Sequence, residues 1–124
     1  MKPKPNISGA EWEVMTVVWS KPPAAASDIV EQLEARRGWR SRTIRTLLDR
    51  LVKKGALRFE LEGKRYLYWP RVTMESCVRK ESKSFLERVF GGEPASMLMH
   101  LVKTTKLSPE QIQELKRILS EKEK

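Results

Sequence analysis

The chain has 124 residues, with one cysteine, one histidine, and 25 Lys or Arg against 16 Asp or Glu, which suffices for one domain or two small ones leaning on each other. Cys77 alone excludes an intrachain disulfide, and with His100 as the only histidine a protein-built zinc or copper site lacks its usual ligands, so no metal or other cofactor is expected. The net charge of +9 is uneven, 15 basic against 8 acidic residues up to Arg71 and 10 against 8 beyond it, which points to a polyanion meeting the N-terminal part.

No stretch approaches the roughly 18 apolar residues of a membrane span, and the N-terminus lacks the apolar core of a signal peptide. A cytoplasmic protein without a membrane partner is expected. Residues 1–7, with Pro3, Pro5 and two lysines, read as a flexible arm. Ser8-Gly9-Ala10-Glu11 has capping-box spacing, and Trp12, Met15, Val18 and Trp19 follow at helical intervals until Lys21-Pro22-Pro23 ends the helix. Ala24 to Ala26 form a short connector. Ser27 is expected to cap a second helix with Ile29, Val30 and Leu33 on its apolar side, closing at Arg36-Arg37-Gly38.

Trp39, at the junction, is expected in the core. From there to Gly55 the chain runs W-R-S-R-T-I-R-T-L-L-D-R-L-V-K-K-G. At about 100° per residue, Ile44, Leu47, Leu48, Leu51 and Val52 share one side, while Arg42, Thr43, Arg45, Thr46, Asp49, Arg50 and Lys53 take the rest. Ser41 is placed as N-cap, Lys53 and Lys54 suit the negative end of the helix dipole, and Gly55 can take the left-handed stop. A face built only for solubility would interleave Glu with Lys or Arg at i,i+4. Here Arg and Thr share the face, and these side chains reach base edges and phosphates. Asp49 is the sole acid and is expected to pair with Arg45 or Lys53. Two successive helices, the second basic, make a helix-turn-helix whose second helix enters the major groove.

After Gly55 the period changes to two. Leu57, Phe59 and Leu61 alternate with Arg58, Glu60 and Glu62, Gly63-Lys64 turns the chain, and Arg65 to Trp69 returns before Pro70, giving a β-hairpin. Lys64 and Arg65 at its tip suit phosphate, which fixes position rather than sequence. Glu60 and Glu62 keep the hairpin's flanks off DNA. Residues 8–71 therefore read as a winged helix, mostly α with a small β-hairpin.

Residues 72–124 read as three helices. Thr73 caps the first, which carries Met74, Cys77, Val78, Phe85, Leu86, Val89 and Phe90 and ends at Gly91-Gly92; Cys77 is a core thiol. Pro94 opens the second, with Met97, Leu98, Leu101 and Val102. Ser108-Pro109-Glu110-Gln111 is a capping box starting the third, with Ile112, Leu115, Ile118 and Leu119; Glu121 to Lys124 are expected to fray. Three helices with one apolar stripe each are marginal alone. A second copy would cover Met74, Val78, Phe85, Leu86, Val89, Phe90, Leu98, Leu101, Ile112, Leu115 and Leu119, making this a dimerisation domain. A homodimer also presents two recognition helices to successive major grooves.

Four blocks, I-S-G-A-E-W-E-V-M-T-V-V-W from Ile7, W-R-S-R-T-I-R-T-L-L-D-R-L-V-K-K-G-A-L from Trp39, Y-L-Y-W-P from Tyr66 and S-F-L-E-R-V-F-G-G from Ser84, resemble the penicillinase-repressor family, the BlaI/MecI/CopY group, over nearly the whole chain. The resemblance implies a homodimeric winged-helix repressor binding double-stranded palindromic operators of TACA/TGTA type and blocking a β-lactamase or related operon. By position, Ser41 to Lys54 is the recognition helix. Family members that sense β-lactams are inactivated by a regulatory protease at an Asn-Phe bond, and the matching position here is His100-Leu101, a departure from that pattern. Copper-sensing members carry paired cysteine motifs, which a chain with Cys77 alone lacks. The DNA-binding residues expected are Ser41, Arg42, Thr43, Arg45, Thr46, Arg50, Lys53, Lys64 and Arg65. A winged-helix protein-interaction module without sequence-specific DNA binding stays open beside this. An enzyme is not expected, because no nucleophile-base pair or phosphate-cradling glycine loop is present.

Overall fold

A computed structural model describes residues 5–124. The order of elements is α1 (Gly9–Ser20), β1 (Ala24–Ala25), α2 (Ala26–Arg37), α3 (Ser41–Lys53), β2 (Leu57–Glu62), β3 (Arg65–Pro70), α4 (Met74–Phe90), α5 (Pro94–Thr104) and α6 (Pro109–Glu123). The chain forms two compact units, the first ending at Arg79 and the second covering Lys80–Lys124. The first compact unit thus extends beyond Arg71. Cys77 explains the extension: it is buried and joins the core of the first unit, so the first turn of α4 packs with the winged helix.

In the first unit, α1, α2 and α3 bury their apolar stripes on one another. Val14, Met15, Val18, Ile29, Leu33, Ile44, Leu48 and Leu51 are almost wholly removed from solvent, and Trp12, Trp19 and Trp39 pack partly buried around them. The three-stranded antiparallel sheet has the order β1-β3-β2. Its third strand is unforeseen: Ala24 and Ala25 pair with Tyr68 and Leu67 and are buried. Three alanines carry no alternation to read, so the connector expected there gave no sign of pairing. Gly63 turns the hairpin with φ of 63°, a backbone region that side chains with a Cβ rarely adopt. Trp19 Nε1 donates to the Val72 carbonyl at 2.9 Å, fixing the chain as it leaves the sheet.

The capping signals held at some helices and failed at others. Ser8 and Ser108 form both halves of their capping boxes, and the Thr73 hydroxyl accepts from the Ser76 backbone N–H at 3.0 Å. Ser41 does not cap α3: Arg40 is the N-cap and Ser41 the first helical residue. Ser27 likewise lies inside α2, whose N-cap is Ala25; pairing of Ala24 and Ala25 with β3 starts the helix earlier. Glu121 to Glu123 continue α6 instead of fraying. Only Leu57 of the three alternating β2 apolars is buried.

The end of the expected arm is fixed. Residues 1–4 lie outside the described ones, but Ile7 joins the core and the Asn6 carbonyl accepts from Lys54 Nζ at 2.8 Å. Lys54 also donates to Glu11 Oε1 at 2.5 Å, and that same oxygen accepts the Ser8 backbone N–H at 2.8 Å. Glu11 is 1% exposed. Burial alone would raise its carboxyl, but the hydrogen bonds from Lys54, the Ser8 backbone and the Ser8 hydroxyl, with the Lys54 charge, outweigh it and hold the group below its ordinary value.

The second unit has no fully buried side chain. Gly91 and Gly92 end α4, Phe90 lies against Phe85 and the His100 ring at centroid separations of 6.0 and 6.1 Å, and α5 and α6 expose much of their apolar stripes.

Breaking the Glu11–Lys54 pair tests its weight. Lys54→Met strands a buried carboxylate, and the expected loss is about 2 kcal/mol, below that for a fully enclosed pair because Lys54 keeps some solvent contact. Urea denaturation measures it. Because the folded Glu11 carboxyl is depressed, its contribution is present above the ordinary carboxylate range and lost as pH falls through the folded value. The stability gap between wild type and Glu11→Gln is therefore expected to shrink from about pH 7 to about pH 3.

Candidate nucleic-acid interface

Helix α3 divides cleanly. Ile44, Leu47, Leu48 and Leu51 are buried, leaving Arg42, Thr43, Arg45, Thr46, Asp49, Arg50 and Lys53 exposed and Ser41 partly so. Among the described residues Arg42, Arg45, Arg50 and Lys53 make no ion pair, whereas Arg37 is bridged to Glu13 and Arg58 to Glu60. Asp49 pairs with neither Arg45 nor Lys53, contrary to expectation. Arg45 Nε instead donates to the Ser41 hydroxyl at 3.4 Å, and Asp49 acts on Tyr68. Burial first, and the Asp49 charge second, raise the Tyr68 phenol above its ordinary value, with Arg45 opposing. The Thr46 hydroxyl donates back to the Arg42 carbonyl at 3.0 Å, so its outward side offers a methyl group and lone pairs.

The hairpin tip comes to the same side. Arg45, Lys64, Arg65 and Tyr66 line a cleft of about 180 Å³ with Ala25, Ala26 and Ser27. Ala25 is the N-cap of α2 and Ala26 and Ser27 its first residues, with no side-chain cap, so the positive end of a helix dipole adds to three cations. Arg45 is thus the expected residue that links helix and wing; Arg42, Thr43, Thr46, Arg50 and Lys53 line α3 without entering the cleft. Two features were missing from the expected site. Arg40, exposed at the N-cap of α3, was legible in W-R-S-R-T as a further basic residue, while the start of α2 had no signal in an alanine triplet.

The residues expected to join two copies are mostly solvent-facing. Met74, Val78, Phe85, Val89, Leu98, Leu101, Ile112, Leu115 and Leu119 are exposed, and Leu86 and Phe90 half-buried. Ala95, Leu98, Met99, Val102, Lys103 and Leu119 line an apolar groove of about 350 Å³. His100 and Leu101 are exposed on α5, where the His100 carbonyl accepts from the Thr104 hydroxyl at 2.7 Å. Among the described residues no cluster of His, Cys, Asp or Glu is placed to hold a metal, and no helix is long and apolar enough to cross a membrane.

The model of the penicillinase repressor family matches residues 7–121. The chain belongs to that family. It is 39% identical over 117 residues to the methicillin resistance regulatory protein MecI of Mammaliicoccus sciuri, covering 94% of this chain and 95% of that one. With the penicillinase repressor of Bacillus licheniformis it shares 38% identity over 121 residues, 98% of this chain and 94% of the relative. The solution structure of the Bacillus licheniformis BlaI monomeric form in complex with the blaP half-operator superimposes with a TM-score of 0.54 at 39% identity, covering 60% of this chain and 92% of that one. The fold of this chain is a winged helix followed by a helical segment.

The cleft gives a charge prediction independent of any particular ligand. Arg45→Ala and Lys64→Ala should each elute from immobilised heparin at lower salt than wild type, because unpaired cations on one face bind a polyanion through counterion release. Arg58→Ala, whose cation already pairs with Glu60, should elute close to wild type.

Proposed function

We propose that this chain is a homodimeric, DNA-binding transcriptional repressor of the penicillinase-repressor type. The observation that carries the proposal is the exposed α3 face of unpaired arginines interleaved with threonines, joined at Arg45 to a cationic wing tip. It is supported by the relative named a penicillinase repressor and by the BlaI structure bound to a half-operator. In this proposal α3 enters the major groove, where Ser41, Arg42, Thr43, Arg45, Thr46, Arg50 and Lys53 meet bases and phosphates, while Lys64 and Arg65 hold phosphates beside it. Arg40 joins them at the N-terminal end, the part of a recognition helix nearest the base edges.

The second unit is assigned to dimerisation. A unit that leaves Phe85, Val89, Leu98, Leu101 and Leu119 exposed gains by covering them with the same surface of a second copy. Two copies then meet a palindromic operator of TACA/TGTA type, as the family resemblance implies. Relief comes by proteolysis within the second unit or by another signal, with His100-Leu101 as the candidate bond. The protein works in the cytoplasm and catalyses no reaction.

Electrophoretic mobility shift on a palindromic TACA/TGTA duplex tests the proposal. Tight binding is expected there and weak binding on a scrambled duplex; equal binding to both removes sequence-specific repression. Arg45→Ala should cost about 1–3 kcal/mol on the palindrome if its guanidinium is bidentate to guanine, and much less on scrambled DNA. For the second unit, Leu98→Asp is expected to sediment as a monomer and to lose affinity for the full palindrome while keeping that for a half-site.

A further inference from the structure

The wing has two unlike faces. The strand register sets Phe59 opposite Tyr68 and Leu61 opposite Tyr66, so these four share a face with Leu57, while Arg58, Glu60, Glu62, Arg65, Leu67 and Trp69 lie on the other. Leu57 and Tyr68 are buried at the base. Nearer the tip, Phe59 is 47% exposed, Leu61 58% and Tyr66 44%, although Phe59 lies 5.5 Å from the Tyr66 ring and 6.1 Å from that of Tyr68. The strand that would be cheapest to make polar, exposed at the edge of the sheet, instead carries a contiguous apolar patch.

Charge around the patch indicates what it meets. Tyr66 lines the cleft shared with Arg45, Lys64 and Arg65, so the patch borders the unpaired cations. Glu60 and Glu62, the acids of the wing, belong to the opposite face, where Glu60 is tied to Arg58 at 2.8 Å. A surface that is apolar, free of the wing's acids and rimmed by cations fits a polyanion with apolar flanks. Duplex DNA is such a molecule: between its phosphates run deoxyribose rings whose C–H edges wall the minor groove.

We infer that Phe59, Leu61 and Tyr66 form a sugar-contacting surface that packs on deoxyribose beside the groove entered by α3, with Lys64 and Arg65 on the flanking phosphates. This rests on the DNA-binding function proposed above and adds a second kind of contact to it. Apolar packing releases no counterions, so it strengthens binding without steepening the salt dependence. Cationic contacts strengthen binding too, but steepen that dependence.

Full-length wild type, Leu61→Asn, Tyr66→Ala and Leu61→Met are compared on a palindromic TACA/TGTA duplex, by fluorescence anisotropy over a salt series and by hydroxyl-radical footprinting, which reads access to sugar C–H bonds. Melting temperatures verify that each variant folds, and Leu61→Met keeps the apolar contact should a polar residue perturb the strand. The expected result is roughly tenfold weaker binding for Leu61→Asn and Tyr66→Ala, with an unchanged salt slope. Sugar protection flanking the α3 site is lost in both, and Leu61→Met behaves as wild type. Wild-type affinity with an intact footprint in Leu61→Asn and Tyr66→Ala overturns the inference while leaving DNA binding in place. Loss of self-association in place of a footprint change also overturns it, marking the patch as a protein contact. A wild type that binds no duplex defeats the proposed function and this inference together.

Discussion

A buried carboxylate held by one lysine fixes where the basic helix sits. Lys54 closes the C-terminal end of α3, and its ammonium reaches both the Asn6 carbonyl and Glu11. Glu11 is in turn locked by Ser8 at the start of α1. The start of the domain and the end of its basic helix are thereby joined in one hydrogen-bonded cluster. A long-range link of this kind specifies orientation more than it adds stability, since burying charges costs nearly what their attraction returns. Apolar stripes on α1, α2 and α3 can slide on one another at modest cost. A charged hydrogen bond to a carboxylate that is 1% exposed has far fewer acceptable geometries.

With the helix so placed, the division of cations follows a simple physical rule. Arg37 and Arg58 satisfy neighbouring carboxylates, and Lys54 serves the core. The cations of α3 and the wing tip have no acid partner among the described residues, so they keep their full field toward solvent. A polyanion can use that field without first breaking an internal pair. Arg45 has a further constraint. Its bond to Ser41 lays the guanidinium along the helix, between the exposed basic side of α3 and the cleft at the wing.

Much of this was legible in the chain itself. A period of 3.6 from Ile44 to Val52 marked the buried back of α3, and the glycines at 55 and 63 marked its end and the hairpin turn. The cap positions were harder, because a serine can cap a helix or begin one with equal local chemistry. At α2 tertiary pairing decided it: Ala24 and Ala25 join β3, which starts the helix at Ala26, ahead of Ser27. The Glu11–Lys54 contact spans 43 residues and left no periodic trace, since lysine at a helix end reads equally well as a dipole partner. That the wing's acids lie on the face away from Phe59 and Leu61 was implicit in the alternation of these residues with Glu60 and Glu62. Which face adjoins α3 required the fold.

The second unit obeys a different logic, in which exposure is the informative quantity. A segment without a fully buried side chain cannot draw its order from a core of its own. Its helices must be stabilised by covering their stripes, and in the proposed dimer the covering surface is a second copy. Dimer strength and operator affinity are then the same free energy seen twice, because each copy raises the effective concentration of the other's recognition helix at the neighbouring half-site. A cut at His100-Leu101 would act through this coupling. The bond lies within α5, where the His100 carbonyl is engaged by Thr104, and a peptide bond in a helix must leave it before a protease can hold it extended. In the proposed relief, local opening of α5 would therefore precede cleavage, and whatever strengthens the covering of α5 would also slow release from DNA.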